Sequence, residues 1–250
     1  MHAVTTKNSK RVWIFPREHG AWAMLIMPFL LGIAISGATF WHLLAGIGMF
    51  FGYLAMNAML TVVRQPKRLR ESLLSVSVFS GVAGLFLLAP FLVKPTAFVP
   101  MLAMIPLLGI SALFIVKKKE RNFGNDLVGI TALTMLLPIA AYLGQEVSQE
   151  SILLAMLLNI IYFTGSVFYV KALFREKTNQ SFRIIGILFH LVVIAAVLIL
   201  HAPSMIALLF IPGCIKMISV LKINKLTPMT VGITEIVNSV WFLAGAFILL

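Results

Sequence analysis

The chain is a succession of long apolar runs separated by short polar stretches. A run of about 17–25 apolar residues is the length at which a helix crosses the hydrocarbon of a bilayer. Nine such runs can be drawn, over 20–37, 41–63, 72–93, 97–116, 126–143, 152–170, 184–200, 204–221 and 229–250. They predict an all-α, polytopic helix bundle, with residues 1–19 as a basic tail and 20–250 as a single membrane domain. Ala34-Ile35-Ser36 resembles a signal-peptide cleavage site. The first run is nevertheless long enough to span, and the elaborate segment Phe15-Pro16-Arg17-Glu18-His19-Gly20 leads straight into it, so it is read as a retained helix. Pro28, Pro90, Pro106, Pro138 and Pro212 predict kinks, tolerated where neighbouring helices satisfy the carbonyls they free. Thr227-Pro228 supplies an N-cap and a first-turn proline for the last helix. Trp41 and Trp241 can anchor at the interface, although Trp241 lies deep enough for ordinary packing.

The charges set the orientation. With the N-terminus in the cytoplasm, the loops 64–71, 117–125, 171–183 and 222–228 are inside, and every Lys and Arg except Lys94 falls on that side or at its rim. The opposite loops hold Lys94, Glu146 and Glu150. This asymmetry is what the positive-inside rule requires and what a wrong helix count would scramble. The expectation is nine spans, N-terminus in and C-terminus out, in a bacterial cytoplasmic (inner) membrane. The net charge of +12 would suggest a nucleic-acid partner in a soluble protein. Here it is read as topology, with the bilayer as partner and no nucleic acid, because 60% of residues are hydrophobic, 11% are charged and the mean hydropathy is +1.02. A single cysteine, Cys214, excludes an intrachain disulfide and is expected to pack inertly in its apolar run.

Polar side chains are costly in hydrocarbon and face a bundle interior or a watery cavity. Tyr53, Asn57, Thr61 and Arg64 repeat at helical spacing on one face of the second run, and Asn159, Tyr162, Ser166 and Tyr169 on one face of the sixth. Asp126 opens the fifth run beside Asn122 and Asn125, His190 lies about two turns inside the seventh, and Glu235 and Asn238 lie within the ninth. All belong to the cytoplasmic half. Apolar walls above such a layer and Arg64, Lys171 and Arg175 at its mouth would suit an anionic or amphiphilic ligand. The pre-helical Arg17, Glu18 and His19 can either cap the first helix or bind and protonate a ligand. The rest also have structural readings. Asn and Tyr stripes make interhelical hydrogen bonds of about 1 kcal/mol, and His190 can be a satisfied core residue. Glu235 at its depth needs Lys216, His190 or its own protonation.

No metal or cofactor is expected. Magnesium-dependent diphosphate chemistry needs clustered carboxylates, and the chain has one Asp and seven scattered Glu. Haem needs paired histidines, and His42 and His201 are the only same-side pair. No phosphate loop, zinc-protease helix or nucleophile elbow is present.

Phe15-Pro16-Arg17-Glu18-His19-Gly20-Ala21-Trp22-Ala23-Met24, followed by Pro28 and Gly32, resembles the opening of the YwiC-like family of bacterial membrane proteins. Asn125-Asp126-Leu127-Val128-Gly129 into Pro138, and Tyr169-Val170-Lys171 with Arg175, extend the match more loosely. The resemblance implies a polytopic inner-membrane protein and carries no activity with it. The span plan also looks like the UbiA prenyltransferases, in which the second and sixth spans carry Asp-rich metal motifs. Asn57 matches a leading Asn there, but Ala58, Thr61 and Gln65 follow in place of carboxylates. The expected function is to bind or move an anionic amphiphile, an isoprenoid or lipid, in a cytoplasm-facing cavity. A divergent UbiA-like transferase and a non-catalytic accessory subunit of a respiratory complex are the alternatives.

Overall fold

The computed structural model describes residues 13–16, 20–199, 204–222 and 226–249. Arg17, Glu18 and His19, together with His201 and Lys225, lie outside the described residues. Every regular element among the described residues is helical: α1 (Gly20–Ser36), α2 (Phe40–Arg64), α3 (Leu69–Val93), α4 (Phe98–Val116), α5 (Phe123–Thr134), α6 (Leu136–Leu143), α7 (Gln149–Phe174), α8 (Gln180–Ile199), α9 (Ile211–Ser219) and α10 (Pro228–Leu249). Helices are the form a crossing chain must take, because hydrocarbon offers no partner to a free backbone N–H or C=O.

Among the described residues, seven stretches are long and apolar enough to cross a membrane. These are α2, Pro66–Val93, Pro95–Val116, Phe123–Leu143, α7, α8 and α10. The other two expected runs differ from full-length spans. α1 has 17 residues, about 26 Å at 1.5 Å each, short of a hydrocarbon core of about 30 Å. The run over 204–221 is broken into a 3₁₀ turn, Ser204–Leu209, and the nine-residue α9. Pro212 is the cause: it has no N–H to give the carbonyl four residues back, that of Leu208. That carbonyl accepts instead from the Trp241 indole on α10, at 3.0 Å. Trp241 is therefore a clasp on the break. Pro138 does the same to the Thr134 carbonyl, and the run over 123–143 is interrupted between α5 and α6 at Met135.

Small residues set the closest helix contacts. Gly32 lets α1 lie on α6, where a Cβ would run into the Leu137 carbonyl and come 2.6 Å from the Ala140 Cβ. Gly48 lets α2 receive Leu87 of α3, which a Cβ would meet at 2.6 Å. The Thr39 N–H donates to His42 Nδ1, and His42 Nε2–H donates to the Ala140 carbonyl, both at 2.9 Å, so the imidazole ties the start of α2 to α6. At the other end the pre-helical segment is anchored on α3: the Ile14 N–H donates to Ser75 Oγ at 3.2 Å, and Trp13 and Phe15 pack on Phe79. The main core, including Leu31, Leu137, Phe163 and Phe242, gathers around α7. α4 and α8 turn residues such as Ile105 and Val192 outward, as lipid-facing helices do. The proline at the start of α10 is preceded by Thr227, whose Oγ1 accepts from the Thr230 N–H at 3.1 Å, the expected cap.

Candidate functional site

The polar face of α7 is buried along its whole length: Asn159, Tyr162, Ser166 and Tyr169 are all enclosed. Each meets a different neighbour. Asn159 Nδ2 donates to Thr134 Oγ1 at 2.8 Å, beside the α5–α6 break. The Tyr162 hydroxyl shares a hydrogen bond of 3.0 Å with Ser239 of α10, and its ring stacks on Phe242 at 4.2 Å between centroids. Ser166 donates to one Glu235 carboxylate oxygen, and Lys216 of α9 pairs with the other. The Lys216 ammonium also sits 4.9 Å over the Tyr169 ring. Of the three partners open to Glu235 from the sequence, it is thus Lys216 that takes the pair.

His190 enters this group from α8. Its Nδ1–H donates to the Gly186 carbonyl at 2.8 Å, which leaves Nε2 as an acceptor in the neutral ring. Nε2 points into a gap that two glycines keep open. A Cβ at Gly165 of α7 would lie 2.7 Å from Nε2, and one at Gly213 of α9 3.3 Å from it. Between these groups is a cavity of about 10 Å³, bordered by Tyr162, Ser166, His190, Phe210, Lys216 and Asn238. That is room for about one water and none for an amphiphile. The α9 break sits beside it, as interrupted backbone at membrane depth is tolerated when enclosed by protein.

A second constellation closes the helix ends. Asp126, in the first turn of α5 behind the Asn122 cap, pairs with Lys171, whose ammonium also donates to the Arg121 carbonyl at 2.9 Å. Arg64, at the end of α2, pairs with Glu120 just beyond α4. Arg175 is exposed after the last turn of α7, its N–H bonded to the Lys171 carbonyl at 2.9 Å. The structure therefore gathers α7, α8, α9 and α10 around the ion pair, and leaves α2 out. Tyr53 packs on Trp22 of α1, and Asn57 is half-buried on a helix that meets α1, α3, α4 and α6. One polar layer shared by α2, α5, α7, α8 and α10 is not what these contacts make. Asn238 is in the cluster, buried at the cavity wall.

The sequence reading missed Gly165, Gly213, Thr134 and Ser239 as parts of this arrangement. Ser239 adjoins Asn238, and Gly165 interrupts a strong helix; these were the available signals. It also missed an open-sided groove of about 630 Å³ between α2, α3 and α4. Gly52, Ala55, Ala83 and Gly84 make its floor shallow in side chain, and Met59, Leu88 and Leu92 form exposed edges. From Val76 to Leu92 it follows α3 for about 24 Å. Arg64, Lys67, Arg68 and Arg70 cluster where α2 and α3 join, and Lys117, Lys118, Lys119 and Arg121 follow α4. The Arg64–Glu120 pair puts the two clusters on the same side.

Among the described residues, seven helices long and apolar enough to cross a bilayer, with charge near their ends and in the Lys216–Glu235 pair, mark a multi-pass membrane protein. The profile of the YwiC-like protein family matches residues 15–142. An uncharacterised protein of Haemophilus influenzae is 27% identical over 231 residues, covering 92% of this chain and 96% of that one. The protein YwiC of Bacillus subtilis, likewise uncharacterised, is 30% identical over 232 residues, 92% of this chain and 95% of its own. The chain belongs to the YwiC-like family. No solved structure matches it.

Proposed function

We propose that this protein binds, and moves or presents, an anionic amphiphile such as a lipid or isoprenoid phosphate, in a bacterial cytoplasmic membrane. The reading places the N-terminus inside and counts α1 and the broken 204–219 segment with the seven long spans, as the one-sided distribution of Lys and Arg favours. The observation that carries it is the groove between α2, α3 and α4. Its volume is within the range of ligand sites, its walls are apolar, and it opens sideways within spanning helices, where acyl or prenyl chains are the available apolar partners. Two basic clusters at one end of the same three helices supply the charge for an anionic head group. The tail lies along α3 and the head group among Arg64, Arg68 and the lysines after α4. The polar cluster of α7–α10 has no room for that ligand and is not its site.

Gly84→Phe tests this directly. A Cβ at Gly84 meets nothing within 4 Å, so a benzyl group enters the groove without displacing backbone. Purified protein, titrated with phosphatidylglycerol and with a prenyl phosphate and read by native mass spectrometry, should bind saturably, and Gly84→Phe should lose most of that binding with its thermal unfolding unchanged. Absence of saturable binding by the wild type, or full binding by Gly84→Phe, would refute the proposal.

A further inference from the structure

The ion pair and His190 surround a cavity that shares no lining residue with the groove. Ionisable groups at membrane depth are expensive to keep, and they mark the paths of protons and ions more often than they serve packing. Four helices aim such groups here. α7 brings Tyr162, Ser166 and Tyr169, α8 brings His190, α9 brings Lys216, and α10 brings Glu235 and Asn238.

Two features show that the set is built for a small guest. Asn238 is only 5% exposed, lines the cavity, and its Oδ1 has no hydrogen-bond partner among the described residues. Buried amide oxygens of this kind are normally satisfied, by ordered water where protein does not reach. His190 Nε2 is the second acceptor, held open by Gly165 and Gly213. Lys216 supplies donors: one N–H goes to Glu235, and an ammonium has three. A single water accepting from Lys216 and donating to His190 Nε2 and Asn238 Oδ1 uses every group, and the cavity has the volume for one.

The geometry points to a proton-binding site within the membrane span, in which a water held by Asn238 and Lys216 delivers one proton to His190 Nε2, beside a Lys216 whose charge is offset by its pairing with Glu235. An O–H bond of that water breaks as the Nε2–H bond forms, and hydronium from the bulk restores the water, so no other reactant is needed. The imidazolium loses by the nearness of Lys216, a loss that the pairing of Lys216 with Glu235 reduces. The other titratable groups in the cluster are Tyr162 and Tyr169, while Glu150, Lys171 and Arg183 lie toward the ends of α7 and α8 and Cys214 is buried on α9.

The test uses full-length protein in lipid nanodiscs with ¹⁵N-labelled histidine, the His190 signals being assigned by their loss in His190→Gln. In the wild type His190 should be neutral at neutral pH and become protonated as the pH is lowered into the acidic range. At one fixed acidic pH its protonated-to-neutral ratio should fall about tenfold in Glu235→Gln and rise about tenfold in Lys216→Met, the size expected of one nearby charge. In the double variant it should return close to wild type. A pair out of electrostatic reach of His190 would not move the ratio in opposite directions. A His190 that stays neutral throughout in the wild type overturns the proposal, as do shifts of the same sign in the two single variants. Should a single variant not fold, the wild-type titration and the double variant still decide: no protonation in either overturns it.

Discussion

Removal of one member of the Lys216–Glu235 pair should cost far more than removal of both. Lys216 is 7% exposed and Glu235 16%, so Glu235→Gln strands an ammonium in an enclosed site. The amide keeps a hydrogen bond to Lys216 and to Ser166, and the Tyr169 face still attracts the cation, an interaction of about 1–2 kcal/mol. Those remnants do not replace the lost countercharge, and breaking a buried pair from one side costs about 3–5 kcal/mol. Taking the remnants into account, the expected destabilisation is about 3 kcal/mol, roughly a hundredfold in the folding equilibrium. Lys216→Met should cost a similar amount, because Ser166 alone then faces the Glu235 carboxylate. Replacing both charges removes attraction and desolvation together, so the double variant should lie within about 1 kcal/mol of wild type. The assay is reversible unfolding in mixed micelles of a mild detergent and dodecyl sulfate, followed by circular dichroism, as a double-mutant cycle. Single variants as stable as wild type, or a double variant that loses the sum of the two, would refute the account of the pair as mutually dependent.

Two further substitutions probe how the site is built. Gly165→Ala puts a methyl 2.7 Å from His190 Nε2 and should destabilise by about 1–3 kcal/mol, whereas Gly81→Ala, which meets nothing within 4 Å, should be neutral or stabilise α3 by up to about 1 kcal/mol in the same unfolding assay. Trp241→Phe keeps most of the ring area but leaves the Leu208 carbonyl without its indole donor, and should cost about 1–2 kcal/mol and speed amide exchange in α9, measured by hydrogen–deuterium exchange.

Much of the architecture is legible in the order of residues. The crossing helices follow from hydropathy, because a bilayer leaves the backbone few alternatives. The single face of α7 follows from spacings of three and four residues, and all four of its polar side chains are buried. The need of Glu235 for a partner follows from its depth alone. Cys214 is buried and unpaired, as a cysteine in an apolar run is expected to be. What the order of residues does not carry is which faces meet. The face of α2 has the same periodicity as that of α7, yet it packs among α1, α3, α4 and α6, away from the ion pair.

The difference has a physical origin. Hydrophobic length, helical period and charge asymmetry are properties of a segment in its solvent, and each can be read from one stretch of chain, so they determine the helical class, the membrane setting and the candidates for burial. Partner choice depends on how closely two backbones approach, and that is settled by residues far apart in sequence. Gly32 admits α6, while Gly165 and Gly213 together admit His190. Pro212 breaks a span, and Trp241, in another helix, takes up the freed carbonyl. The sequence marks Glu235 as a residue in need of a partner. Only the packing of α9 against α7 and α8 brings Lys216 to Glu235 of α10, and only the divergence of α3 from α4 opens the groove.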